Sequence, residues 1–370
     1  MLHLVTLATL VSLIASGVRA DDTPDRAAQL KAVRANLSQA AAEFRQEVEA
    51  GTVKPDDEGE YPAWIEVSKR FVQPTRAIIE ADPADAVGLE ALLFALGDLD
   101  AADADLYAFV LKHHAGSEKI KPLLCLGPAP TEFLRNVAKQ SPHVKIRLRA
   151  AFHLADREYD AGKAADADKL LEDLQRNPAY LDLRFDDRWL GRQVEELFNE
   201  VRNLNVGDTA PEVTGEDLDG KPLKLSDSRG KVTLLVFWAS RCRPCLDMVP
   251  HQLDLIGRYA GRPFAVVGVN GDLLAGGNTA AIGPDGKPVD GTAKLKAAIT
   301  KHKIAWRSFR YGLGGSGEDT GTAGRWNVRT WPTVYLLDKA GVIRGKWKGT
   351  PPVRGLDAAV EADVKAAEAK

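Results

Sequence analysis

Two kinds of apolar spacing divide this chain. Through residues 21–204 apolar side chains recur every three or four positions. Leu30, Val33, Leu37, Phe44 and Val48 set one apolar face along a helix. Similar stripes through 71–79, 89–96, 106–111, 146–154, 170–174 and 194–201 predict further helices. Asp82-Pro83, Gly127-Pro128-Ala129-Pro130, Ser141-Pro142 and Asn177-Pro178 separate them. No strand alternation is read in this half.

After Asn205 the pattern changes. Residues 206–211 read as an extended, turn-rich entry, and Asp219-Gly220 is a hairpin signal between short alternating runs. Residues 231–237 form a continuous apolar run, as expected of a central strand covered on both faces. A helix is expected from Cys242 to about Tyr259, kinked by Pro250. Further strands are predicted at 264–269, 333–337 and 342–348, with helices at 292–301 and 356–369. The expected order is β-α-β-α-β-β-α after an N-terminal hairpin. The fold class is thus α/β, a mixed sheet flanked by helices, preceded by an all-α irregular helical array. The domains are expected at 21–204 and 205–370.

Residues 1–20 stand apart. A short apolar segment ends in Ala15-Ser16-Gly17-Val18-Arg19-Ala20, which reads as a signal peptide cleaved after Ala20. The run is shorter than the ~20 residues a membrane span needs, which favours cleavage over an uncleaved anchor. Its departure from the pattern is an n-region with only His3. The expected location is exported, periplasmic or secreted, where disulfides persist.

Composition narrows the chemistry. A chain of 370 residues with a net charge of −3 and no long basic run argues against nucleic acid as a partner. There are three cysteines. Cys242 and Cys245 form a C-x-x-C at the end of the apolar run. A structural zinc site would need two more ligands at similar spacing, whereas Cys125, His251 and His302 are scattered singly, so no metal is expected. Cys125 is expected to be a buried free thiol. His113-His114 are expected as solvated helix-end residues.

A C-x-x-C beside a βαβ pattern reads as a redox motif. The strand delivers the first cysteine to a helix start, where unpaired N–H groups and the helix dipole favour a thiolate. The second cysteine lies about one turn on, within reach of the first.

The motif set resembles the thioredoxin fold, and more closely the exported TlpA/ResA-type thiol–disulfide oxidoreductases. The resemblance covers residues 206–370. It is carried by Gly207-Asp208-x-Ala210-Pro211, Asp219-Gly220-Lys221, Phe237-Trp238-Ala239-x-x-Cys242-x-Pro244-Cys245, Pro250, and Trp331-Pro332-Thr333 with Leu337-Asp338-x-x-Gly341. It implies Cys242 as nucleophile and Cys245 as resolving thiol. It implies Pro332 as a cis-proline facing them, and Trp331, Pro332 and Trp238 as the substrate-binding surface. Pro244 suits the first helical turn, and Pro250 is structural. No cofactor is implied, and the partners are protein thiols or disulfides and an upstream redox partner.

Two departures bear on mechanism. Arg241 stands where the family often has Trp, and Arg243 lies inside the motif; both are expected to lower the Cys242 pKa. Val236 stands where thioredoxins carry a buried acid, so a proton acceptor for Cys245 must come from elsewhere, for instance Asp272 or a water. Upstream, Leu154, Ala155, Gly162, Ala167, Leu171, Leu174 and Pro178 resemble one tetratricopeptide-like hairpin, with no second copy. That domain could bind a protein partner. Residues 312–317 match G-x-G-x-x-G but lack the helix and acid of a dinucleotide site, so they read as a loop. Two rival functions remain open: a thiol peroxidase-like antioxidant, and a helical binding or scaffold protein with a mainly structural redoxin domain.

Overall fold

The computed structural model describes residues 25–54, 61–99, 101, 103–125, 129–185, 188–272, 291–310 and 325–369. The expected signal peptide and the glycine-rich 312–317 motif lie outside the described residues. The chain forms two compact units, residues 1–157 and 158–370.

Unit 1 is helical. It contains α1 (Arg26–Glu49), α2 (Pro62–Lys69), α3 (Val72–Ala81), α4 (Ala86–Gly97), α5 (Ala104–His114), α6 (Lys121–Cys125), α7 (Thr131–Gln140) and most of α8 (Val144–Asp160). Asp25, Asp85 and Asp103 cap α1, α4 and α5, each carboxylate accepting a first-turn backbone N–H. Ile79, Leu92, Leu106, Leu124 and Phe133 are fully or nearly fully buried between these helices. Burying such a side chain contributes on the order of 1.5–3 kcal/mol.

Three details here differ from expectation. Helices α2, α6 and α7 lie outside the expected stripes; α7 buries Phe133, Leu134 and Val137 on one face. His114 is buried, its Nε2 2.6 Å from the Pro83 carbonyl oxygen, because the last turn of α5 faces inward. Cys125 is exposed rather than buried, and Arg149 donates to its sulfur from Nε at 3.0 Å.

Unit 2 begins with the end of α8, followed by α9 (Ala164–Gln175), a two-residue ladder of β1 (Arg184–Phe185) and β2 (Arg188–Trp189), and α10 (Leu190–Asn203). The ladder is too short for any alternation to register. The compact division therefore falls upstream of the change of character at Asn205, and α9 and α10 fold with the sheet. The segment likened to a helical hairpin is α8, a short turn and α9.

The hairpin β3 (Thr214–Glu216) and β4 (Pro222–Lys224) follows, as Asp219-Gly220 predicts. Gly220 takes φ +77°, a turn conformation that favours glycine. The main sheet contains β5 (Val232–Trp238), β6 (Phe264–Asn270), β7 (Ser308–Arg310), β8 (Thr333–Leu337) and β9 (Ile343–Lys348), in the order β7-β6-β5-β8-β9. β5 pairs parallel with β6 and antiparallel with β8. The three-residue β7, which the apolar pattern does not show, is held as an edge strand beside β6.

Every residue of β5 is buried, because both faces are covered. Val232, Leu234, Val236 and Trp238 face α12 (Val249–Arg258), α13 (Gly291–His302) and α14 (Val353–Glu368). Leu235 and Phe237 face a second cluster with Phe309, Trp326 and Tyr335. This double cover is why the run reads as continuously apolar.

Candidate active site

β5 ends at Trp238, and its chain continues into a tight turn in which the Cys242 N–H donates to the Ala239 carbonyl at 3.1 Å. Cys242 is then the N-cap of α11 (Arg243–Asp247), its sulfur accepting the Cys245 N–H at 3.2 Å. Pro244 occupies the first turn, where no intrahelical N–H is required. Met248 joins α11 to α12, so the expected single helix is two segments. Pro250 lies in the first turn of the second segment rather than at a kink within one helix.

Cys242 and Cys245 form a disulfide, with Cα atoms 5.3 Å apart. Cys242 is half-buried and Cys245 is 3% exposed. A partner can therefore reach the first sulfur and not the second.

The register of β8 against β5 sets Thr333 opposite Phe237. The preceding Trp331–Pro332 peptide bond is cis and lies at the same end of the sheet as the 239–242 turn. Trp331 is half-buried and packs on the backbone of Gly271, where a Cβ would come 2.4 Å from the indole. Glycine is required there for that close approach.

Trp238 differs from its expected role. It is 3% exposed, and its indole N–H donates to Ser308 Oγ at 3.1 Å. It supports the site from beneath and offers no surface to a substrate.

Arg241 and Arg243 are both exposed. Arg243 pairs with Asp247 one turn on, Nε to Oδ1 at 2.8 Å. That carboxylate offsets its field at the sulfur, whereas Arg241, the other arginine beside Cys242, has no acidic partner among the described residues.

Asp272 is a buried acid beside this turn. It lies two residues beyond Asn270, which pairs with Trp238 across β5 and β6. Its Oδ2 accepts the Ser240 backbone N–H at 2.8 Å and Asn270 Nδ2 at 2.8 Å; its Oδ1 accepts the Ser240 hydroxyl at 2.8 Å. Two of the carboxylate's three hydrogen bonds thus go to the turn before Cys242. Sequence reasoning named Asp272 for a different task and passed over Ser240; N-x-D at the end of a strand next to the motif strand was the available signal.

No group of three or more metal-ligating side chains occurs among the described residues.

Residues 206–346 match the family described as AhpC/TSA. The C-terminal half carries an AhpC/TSA-family domain with the thioredoxin fold. The chain is 24% identical over 152 residues to the thiol-disulfide oxidoreductase ResA of Bacillus cereus, covering 41% of this chain and 75% of that one. It is 27% identical over 160 residues to the thioredoxin-like protein YneN of Bacillus subtilis, covering 43% and 81%. Among solved structures it aligns with the thioredoxin domain of a thiol-disulfide oxidoreductase from Bacteroides vulgatus at 23% identity and a TM-score of 0.34, covering 44% and 99%. The sheet with helices on both faces is the fold that the sequence resemblance implied.

Proposed function

We propose that the redoxin domain exchanges dithiol and disulfide with protein partners through Cys242 and Cys245. The observation that carries this reading is the pair's asymmetry at a helix start: a reachable sulfur at the N-cap and a buried one a turn behind it. In the reduced protein the Cys242 thiolate attacks a partner disulfide. One partner sulfur leaves as thiolate, and a mixed disulfide forms. Cys245 then gives up its proton and attacks the Cys242 sulfur, expelling the second partner thiolate. Two electrons pass to the partner, whose two thiolates take up the Cys245 proton and one from solvent, and the Cys242–Cys245 disulfide remains. The reverse sequence oxidises a partner dithiol.

No cofactor enters these steps. The names of the relatives support this assignment over the scaffold and peroxidase alternatives. Trp331 and Pro332 are assigned to the substrate face. The cysteine chemistry fits an exported protein, and no helix among the described residues is long and apolar enough to cross a membrane. The helical unit is assigned to protein-partner binding, with an upstream redox partner restoring the pair.

The test is trapping. Cys245→Ser should accumulate mixed disulfides with partner proteins, and Cys242→Ser should abolish exchange. Trapping by Cys242→Ser alone would reverse the roles. Wild-type function retained when both cysteines are replaced would favour the scaffold.

A further inference from the structure

A second cluster of charged groups lies in unit 2, and the exchange reaction does not use it. Glu200 of α10 is fully buried. Lys346 and Lys348 of β9 both reach its Oε1, Lys348 at 3.2 Å. Asn327 donates to Oε2, and Arg329 Nη2 lies 3.9 Å from it. Lys348 also holds Asp160 Oδ1 at 2.6 Å, and Lys346 donates to the Tyr159 hydroxyl at 3.3 Å. Glu200 and Asp160 are the carboxylates that the two lysines meet directly, with Arg329 and Asp208 further out.

Burial alone makes leaving charges here costly, and pairing offsets that. The pairing is incomplete on the donor side. An ammonium has three N–H donors, and each lysine meets two acceptor oxygens in the protein. One donor on each remains. Both lysines line a cavity of about 420 Å3. Tyr159, Asp160 and Asn205 supply its other polar wall, Leu204 and Val206 its apolar one. Val206 is 63% exposed, which is unusual for a valine with a helix and a sheet close by. Burial, reinforced by Glu200, raises the Tyr159 phenol well above its ordinary pKa, so it stays neutral beside the lysines. Ala164, the first residue of α9, also borders the cavity, and that helix has no side-chain cap. Asp166 in its first turn opposes an anion, so the lysines and not the helix end would hold one.

We propose that this cavity binds a small organic anion, its carboxylate or phosphate group held between Lys346 and Lys348 and its body against Leu204 and Val206. The cavity is larger than an inorganic oxyanion needs, which is why an attached body is part of the assignment. Asp160 limits affinity, because it lines the same cavity and occupies Lys348.

The test is calorimetric titration of the full chain with inorganic phosphate and, separately, with succinate. Saturable binding of one equivalent is expected, and the stronger of the two probes identifies the headgroup. Lys348→Gln should weaken binding about tenfold, the loss of one charge-assisted hydrogen bond. Because that variant could disturb Glu200, the deciding variant is Asp160→Asn at a half-exposed position. It removes a negative charge and frees a Lys348 donor, so it should tighten binding severalfold. Absence of saturable binding in both the wild type and Asp160→Asn would overturn the proposal, as would equal affinity in the two. Either result would leave these charges as a lock between α10 and β9. Thiol–disulfide exchange should be unchanged in Asp160→Asn.

Discussion

Asp272 holds Ser240 twice, through the backbone N–H and the hydroxyl, both at 2.8 Å. Ser240 is the second residue of the turn that presents Cys242. The buried carboxylate therefore fixes the loop from which the nucleophile projects. Asp272→Asn removes the charge and one acceptor oxygen, so both hydrogen bonds to Ser240 weaken or re-pair with neutral partners. The expected cost is about 1–3 kcal/mol, against about 1 kcal/mol for Ser240→Ala. Urea unfolding should show this order, and the rate of insulin disulfide reduction should fall in both variants. An Asp272→Asn protein as stable and as fast as wild type would rule out the clamp.

The arginines should not act equally. Arg243 is paired with Asp247, whereas Arg241 has no acidic partner among the described residues. Both are exposed, so screening keeps either effect small. The reduced protein should titrate Cys242 below the ordinary thiol value of about 8.5, through the helix start. Arg241→Ala should raise that value by a few tenths of a pH unit. Thiolate absorbance titration of the single variants decides this, and a larger shift from Arg243→Ala would assign the tuning to the residue inside the motif.

Gly271 and Trp331 form a contact that tolerates no extra carbon. In Gly271→Ala the new Cβ would meet the indole at 2.4 Å. Overpacking of this kind costs about 1–3 kcal/mol. Thermal unfolding should show the loss, and Trp331→Ala in the same chain should remove most of it. Equal losses with and without the indole would place the strain elsewhere.

The docking of α14 should weaken in acid. Burial alone would raise the Asp357 carboxyl, but the His251 ring at 2.7 Å and the Arg258 guanidinium at 3.0 Å hold it below the ordinary aspartate value. A depressed folded-state value contributes stability above the unfolded value of about 3.9, and that contribution is lost as pH falls through the folded value. The stability difference between wild type and Asp357→Asn should therefore be constant near neutrality and shrink below about pH 4. A difference that does not change down to pH 2 would exclude the pairing as its source.

Much of the redoxin half could be read from residues alone. A strand covered on both faces needs an unbroken apolar run, and residues 232–238 supply it. A tight hairpin turn needs a residue tolerant of positive φ, and Asp219-Gly220 supplies that. The spacing of Cys242 and Cys245 is one helical turn, so their pairing follows from local geometry. Helices with long apolar stripes, such as α1 and α8, were legible for the same reason.

What local pattern could not carry was set by contacts between distant segments. Ser240 and Asp272 are 32 positions apart and meet only because β5 and β6 end side by side. Trp238 looks like a surface aromatic in its motif, yet Ser308 of the short edge strand β7 receives its indole N–H inside the core. Arg243 looks like a neighbour of the thiol until the turn of α11 brings Asp247 to it. α9 and α10 have the periodicity of the helical half, but the buried Glu200 of α10 meets its cations in the redoxin half, Lys346 and Lys348 of β9 and Arg329. Periodicity reports which face of an element is buried; the partner on that face is decided by the fold, because a buried charge or indole N–H must find its complement wherever tertiary packing brings one.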